Sequence, residues 1–252
     1  SLLLVLAVIP VRIGFDHAKR RWLLTHRVPV SPHRLHKAAS YLPLLEAIGG
    51  QGEARSCDYT VQEEERQAAR VLLEAHGVGN GRPCVILHPG ANWSHKRWAP
   101  ERFAALGDRL TERHAVHVVI TGGPDDQGLV EQVARAMHQP AIVLAGRTTL
   151  RQFGGCVAQA NLVIANDTGV LHLAAALSRP LIALYGPTSP ALTGPLGDAQ
   201  RIVVIHHPDC CPHVPCTRPA QGADHRGMDA ITVEEVYAAA SLMLTRYVDP
   251  TT

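Results

Sequence analysis

The sequence predicts an α/β domain built on a parallel sheet. Strand and helix signals alternate from about residue 60 onward, which is the pattern of strands joined by crossover helices. The strand-like runs are continuously apolar, as strands covered on both faces are. The chain has 252 residues, 46% hydrophobic and 18% charged, a globular composition with enough apolar residues to bury a core.

Taken in order, the chain opens at Ser1 directly into an apolar run at 2–9. That run is too short to span a bilayer, lacks a basic leader and is not followed by a small-residue cleavage site, so a buried strand is expected. A basic segment at 17–27, a Pro-rich stretch and a helical run at 35–48, ending at Gly49 and Gly50, come next. Residues 1–55 are too few to form a domain alone. They are expected to be the tail of one domain with an interdomain helix, followed by a complete domain over residues 56–252. With the first residue leading straight into the apolar run, the chain reads as one whose beginning has been removed.

In the second domain, strands are expected at 85–87, 116–120, 141–144, 162–165, 181–184 and 202–205. Pro100 opens a helix with Phe103, Leu106 and Leu110 on one face, and Leu129, Val133, Ala134 and Met137 mark the next. A further helix runs over 169–177 through His172, and Thr232 followed by Glu235 reads as a capping box for the last.

Ligands of open parallel sheets bind outside the carboxyl ends of the strands, where helix N-termini present free N–H groups. Four small polar loops fall at that edge: His88 to Trp98, Thr121 to Asp126, Asn166 to Gly169, and Tyr185 to Thr188. Asp167 or Thr168 either caps the helix that follows or joins His172, one turn on, in holding an anion such as a diphosphate. Lys96, between His95 and Arg97, is either a solvated basic turn or a point charge for phosphate. Trp93 and Trp98 either stack on a ligand ring or clamp the loop to the domain. Gly122 to Asp125 is either a tight turn or places an acidic side chain on ribose hydroxyls.

The formal net charge is +2, which leaves no broad footprint for nucleic acid, so any anion must be held locally. Six cysteines are too sparse for a disulfide scaffold, and a reducing compartment is expected. Cys210, Cys211, His213 and Cys216, with His206, His207 and His225 nearby, carry metal-ligating chemistry. They lack the paired C-x-x-C spacing, which favours a surface loop with free thiols. No G-x-S-x-G elbow or Walker loop occurs.

HPGANWSHKRWAPERFAAL (88–106), TGGPDD (121–126), LAGRTTL (144–150), NDTGVLHLAAAL (166–177) and YGPTSP (185–190), in this order, resemble glycosyltransferase family 9, the lipopolysaccharide heptosyltransferases. The ending MDAITVEEV (228–236) is also similar. The resemblance implies a GT-B fold, two Rossmann-like domains facing across a cleft, with the nucleotide sugar held by the C-terminal one. It implies that Lys96 contacts the donor phosphates and stabilises the leaving diphosphate. Asp167, Thr168, Gly169 and His172 would bind the diphosphate and neighbouring sugar groups, and Asn92 would lie near the phosphates beside Ala91, where relatives often carry hydroxyls. Asp125 or Asp126, with Thr148, would reach the adenosine. The implied reaction is an inverting, metal-independent transfer of heptose from ADP-heptose to the lipid-linked lipopolysaccharide core, with no cofactor and no nucleic-acid partner. The implied place is the cytoplasm, with contact at the inner membrane left open by the lipid-linked acceptor. In relatives the general base is an aspartate in a glycine-containing loop after the first strand, and no part of this chain matches that loop. The alternative expectation is therefore a nucleotide-binding module without turnover. A cysteine common before the methionine of the closing motif is replaced by Gly227, which speaks further against a metal.

Overall fold

In the computed structural model, which describes residues 2–210 and 226–248, the chain divides into two units. One comprises residues 1–55 with 191–193, and the other 56–190 with 194–252.

In the first unit, helix α1 (Leu2–Leu6) precedes two parallel strands, β1 (Ile13–Phe15) and β2 (His26–Val28), and helix α2 (Leu42–Glu46). The run at 2–9 thus forms a short helix over Leu2–Leu6 followed by a turn rather than the expected strand, and α1 buries none of its residues. A strand needs a neighbour for its backbone groups, whereas a helical turn satisfies them locally. Here Ala7 N–H donates to the Leu3 carbonyl at 2.9 Å. The helical run expected at 35–48 is also shorter. Pro43 has no N–H and crowds the carbonyl four residues back, so the α-helix starts at Leu42 with Pro43 in its first turn. A 3-10 turn, Ala39–Tyr41, leads into it.

The second unit is a six-stranded parallel sheet: β3 (Cys84–His88), β4 (His117–Ile120), β5 (Ala141–Val143), β6 (Leu162–Asn166), β7 (Leu181–Tyr185) and β8 (Ile202–His206). The spatial order is β5-β4-β3-β6-β7-β8. The chain therefore builds outward from β3 in one direction, then returns to β3 and builds outward in the other. The crevice between β3 and β6 is the switch point at which such sheets bind ligands.

Helices α3 (Glu63–Ala75), α4 (Pro100–His114), α5 (Gln127–Ala136), α6 (Leu150–Gln159), α7 (Gly169–Ala176), α8 (Pro190–Thr193), whose residues 191–193 belong to the first unit, α9 (Gly227–Ala230) and α10 (Val233–Val248) complete the order. Every residue of β3, β6 and β7 is buried. Alternation along β3 explains the unbroken apolar run: Val85 and Leu87 join one core cluster with Phe103, Leu110, Val133 and Ala240, while Ile86 joins another with Ala69, Cys156 and Leu171. Helices α4, α5 and α10 thus cover one face, and α3, α6 and α7 the other.

The caps follow from the sequence. Thr149 Oγ1 accepts from Gln152 N–H at 3.2 Å and Gln152 Oε1 accepts from Thr149 N–H at 2.9 Å, a two-way box opening α6. The box expected at α10 is one-sided. Thr232 Oγ1 accepts from Glu235 N–H, but the Glu235 carboxylate turns to His207 Nε2 at 2.9 Å instead of reaching back. The Cys-rich cluster cannot be followed through: Cys211, His213, Cys216 and His225 lie outside the described residues, and Cys210 is exposed. Among the described residues, no helix is long and apolar enough to cross a membrane.

Candidate functional site

The site is held open by one buried amide. Asn166, at the end of β6, donates from Nδ2 to the Pro89 carbonyl at 2.8 Å and accepts at Oδ1 from Trp98 N–H at 3.2 Å. It thereby ties down both ends of the loop that carries Asn92 and Lys96. Trp98 anchors the same loop from below. Its ring is fully buried edge-on to Phe103, and Nε1–H donates to the Ile231 carbonyl at 2.9 Å. Of the two readings for the tryptophans, Trp98 takes the clamp. Trp93 stacks on His95, and its ring centroid lies 4.8 Å from Lys96 Nζ.

Lys96 Nζ donates to Asp167 Oδ2 at 2.6 Å, with the two side chains 16% and 9% exposed. Thr188 Oγ1 donates to the same oxygen, also at 2.6 Å. Asp167 is therefore a fixed counter-charge. Thr168, the N-cap of α7, makes no side-chain cap bond and lines both of the cavities at this edge, while the Asp167 side chain is spent on Lys96 and Thr188 rather than on capping.

Two cavities adjoin here, sharing His88, Gly123 and Thr168. The larger, about 610 Å³, is mostly apolar and is lined by Tyr59, Phe153, Leu173, Thr148, Gly169 and His172 among others. The smaller, about 340 Å³, is polar and is lined by Asn92, Arg97, Asp125 and Asp126 among others. The expected residues thus divide: Thr148, Gly169 and His172 face the apolar space, Asn92, Asp125 and Asp126 the polar one, and Thr168 both. Lys96 and Asp167 line neither and are locked to each other. Asp126 is partly spent on structure, since its Oδ2 accepts from Gly123 N–H at 3.1 Å and Arg97 approaches its Oδ1 at 3.5 Å. Arg97 Nε–H also donates to the Ala91 carbonyl at 3.0 Å, bracing the Lys96 loop against the glycine turn after β4.

Chemically, the arrangement offers an apolar slot for a flat ring beside a polar recess with the Arg97 guanidinium and the start of α7, while the Lys96 ammonium stands at the same sheet edge, paired with Asp167. That combination suits a molecule with an aromatic end and an anionic end. His88, Arg97, Asn166 and Thr188 fall in the loops expected at the ligand edge but were given no role there. The signal that marks His88, Asn166 and Thr188 is position alone: each stands at or just past the carboxyl end of a central strand.

His88 is the floor shared by both cavities, with Nδ1 3.0 Å from Thr121 Oγ1. Burial pushes its pKa down from 6.5 to about 4, against a smaller opposing pull from Asp126. The folded protein thus keeps this imidazole neutral, whereas the unfolded chain protonates it below pH 6.5. Stability is fully present above that pH and is lost as pH falls towards 4, by about 3 kcal/mol from this group alone. Desolvation lowers His114, His117 and His206 in the same direction. Urea midpoints measured from pH 7 to pH 4 should fall in the wild type and fall less steeply in His88→Asn; parallel curves would exclude His88 as a source.

Comparison with known proteins agrees with this architecture. The family model for glycosyltransferase family 9 (heptosyltransferase) matches residues 1–223. Lipooligosaccharide heptosyltransferase 2 of Haemophilus influenzae is 38% identical over 128 residues, covering 48% of this chain and 36% of that protein. Lipopolysaccharide heptosyltransferase 2 of Escherichia coli is 35% identical over 131 residues, covering 50% and 37%. These alignments thus span little more than a third of either relative. The solved structure of ADP-heptose lipopolysaccharide heptosyltransferase II from E. coli superposes with a TM-score of 0.80 at 26% identity, over 97% of this chain and 73% of that one. The parallel sheet, the motif-bearing loops at its carboxyl edge and the family match therefore converge, and the chain belongs to glycosyltransferase family 9, the heptosyltransferases.

Proposed function

We propose that the chain carries the donor-binding part of a heptosyltransferase that moves a heptose from ADP-heptose to the lipopolysaccharide inner core, with inversion and without a metal. The observation that carries this reading is the junction of the two cavities at His88, Gly123 and Thr168, within the switch point of the sheet. The apolar cavity takes the adenine, with Thr148 beside it and Asp125 on the ribose. The polar recess and the start of α7 take the diphosphate, near Asn92 and Thr168, with Gly169 and His172 reaching it from the apolar side where the two cavities join. Lys96 supplies the charge that stabilises the diphosphate as it leaves.

An acceptor hydroxyl must also lose its proton to a general base. Asp16, the acidic residue in the R-I-G-F-D segment, is paired with Arg21, its Oδ1 lying 3.1 Å from Nε, and is not assigned that role. The acceptor is the lipid-linked core, and the proposed place of action is the cytoplasmic face of the inner membrane. Residues 1–55 hold eight basic against three acidic residues, and Trp22 among them is 68% exposed, which suits an anionic leaflet. Failure to sediment with phosphatidylglycerol vesicles would remove the membrane contact.

The donor assignment is tested by calorimetry. ADP and ADP-heptose are expected to bind, and adenosine more weakly. No binding, or tighter binding of UDP sugars, would overturn the assignment.

A further inference from the structure

We propose that Thr188 is a positioning residue for Lys96, acting through Asp167, an inference that rests on the diphosphate reading of the site. Thr188 follows β7 in the turn Tyr185-Gly186-Pro187-Thr188 and is 9% exposed. Its hydroxyl has one proton, and that proton goes to Asp167 Oδ2 at 2.6 Å, the oxygen that also accepts Lys96 Nζ at 2.6 Å. Asp167 is fixed to the β7 segment a second time, because its backbone N–H donates to the Leu184 carbonyl at 3.1 Å. Three loops, following β3, β6 and β7, therefore meet on one carboxylate oxygen.

The chemistry of that oxygen decides what the hydroxyl does. A carboxylate beside a diphosphate repels it, so Asp167 helps bind an anion only by holding a cation in place. An ammonium group has three donors, and one is committed to Asp167, which leaves two for phosphate oxygens. How tightly Asp167 draws on Lys96 depends on what else satisfies the carboxylate. With the Thr188 hydroxyl in place, Oδ2 has a second donor and its orientation is set. Without it, the buried carboxylate leans on Lys96 alone and draws the ammonium back from the ligand. The consequence is confined to the charged end of the nucleotide, because the hydroxyl acts through Asp167 and Lys96 and Thr188 does not line the apolar cavity.

The test compares ADP with adenosine by calorimetry in Thr188→Val, which keeps the side-chain shape and removes the hydroxyl. The affinity for ADP is expected to fall about tenfold, the scale of one hydrogen bond to a charged group, while that for adenosine stays unchanged. Thr188→Ser should restore ADP binding, and in a Lys96→Ala background Thr188→Val should have no further effect. Should the Val variant not fold, Thr188→Ala removes the same hydroxyl and carries the same comparison. Equal losses for ADP and adenosine would show a merely structural role and overturn the proposal, as would undiminished ADP binding by a folded variant. A wild-type chain that binds no ADP would overturn the function proposed above and this role with it. Normal wild-type binding alongside an indifferent Thr188→Val would overturn this role alone.

Discussion

Lys96→Ala is expected to lower the affinity for ADP by about 10- to 100-fold, with little change for adenosine. A charge-assisted hydrogen bond to a phosphate is worth about 1.5–3 kcal/mol, and Lys96 is the ammonium group held at this edge by Asp167. The same substitution leaves the Asp167 carboxylate, 9% exposed, with Thr188 as its remaining side-chain donor. Removing one member of a fully buried pair costs about 3–5 kcal/mol. Here the lysine is 16% exposed and solvent can reach the gap, so a loss of about 1–2 kcal/mol is expected. Lys96→Arg should not rescue binding, because a planar guanidinium does not replace a compact ammonium seated 2.6 Å from Oδ2 and close to the Trp93 ring. Calorimetry with the two ligands, together with thermal unfolding, separates the effects; unchanged ADP affinity would take Lys96 out of the site.

Trp98→Ala is expected to have the largest effect on stability, about 3–5 kcal/mol. The indole is fully buried against Phe103, and its N–H satisfies the Ile231 carbonyl just before α10. Truncation therefore opens a cavity and withdraws one donor from that carbonyl in a single step, although Arg102 also donates to it at 2.6 Å. Trp98→Phe should recover much of the packing and none of the hydrogen bond. Urea unfolding of the three proteins reads both contributions, and a Trp98→Ala loss below about 1 kcal/mol would contradict the core assignment. Since the backbone N–H of Trp98 also bonds Asn166, the Ala variant should in addition bind ADP less well through a loosened Lys96 loop.

Much of the sheet was legible in the sequence because its strands are buried on both faces. A continuous apolar run such as 85–87 has few alternatives once Gly and Pro bracket it, and the six expected strands match those found to within a residue or so at each end. The failure at residues 2–9 has the opposite cause. An apolar run of that length is compatible with strand or helix, and what decides is whether a neighbour accepts its backbone groups, which no local pattern encodes. At the site, the chemistry of Lys96 and Asp167 could be suspected from residue type and loop position, but their pairing could not. They stand 71 residues apart and meet only because β6 returns to lie beside β3. The loop that carries Thr188 was legible, but its contact was not, for the same reason: a threonine in a Pro-containing turn carries no mark of a carboxylate across the sheet edge.

That return of β6 to β3 has a bearing on how the protein folds. β3 pairs first with β4 and can build the β4 and β5 side of the sheet from neighbouring segments, but the crevice does not exist until β6 has docked on its other edge. The pairing brings together residues as distant as Cys84 and Asn161, whose side-chain oxygen accepts the Cys84 N–H at 2.8 Å, and such long-range closures form slowly. The HPG loop after β3 and the GGP loop after β4 therefore face a crevice that only the later segment β6 completes. Under the proposed function, a nucleotide that binds at this crevice would stabilise only the completed sheet, by mass action on the native state.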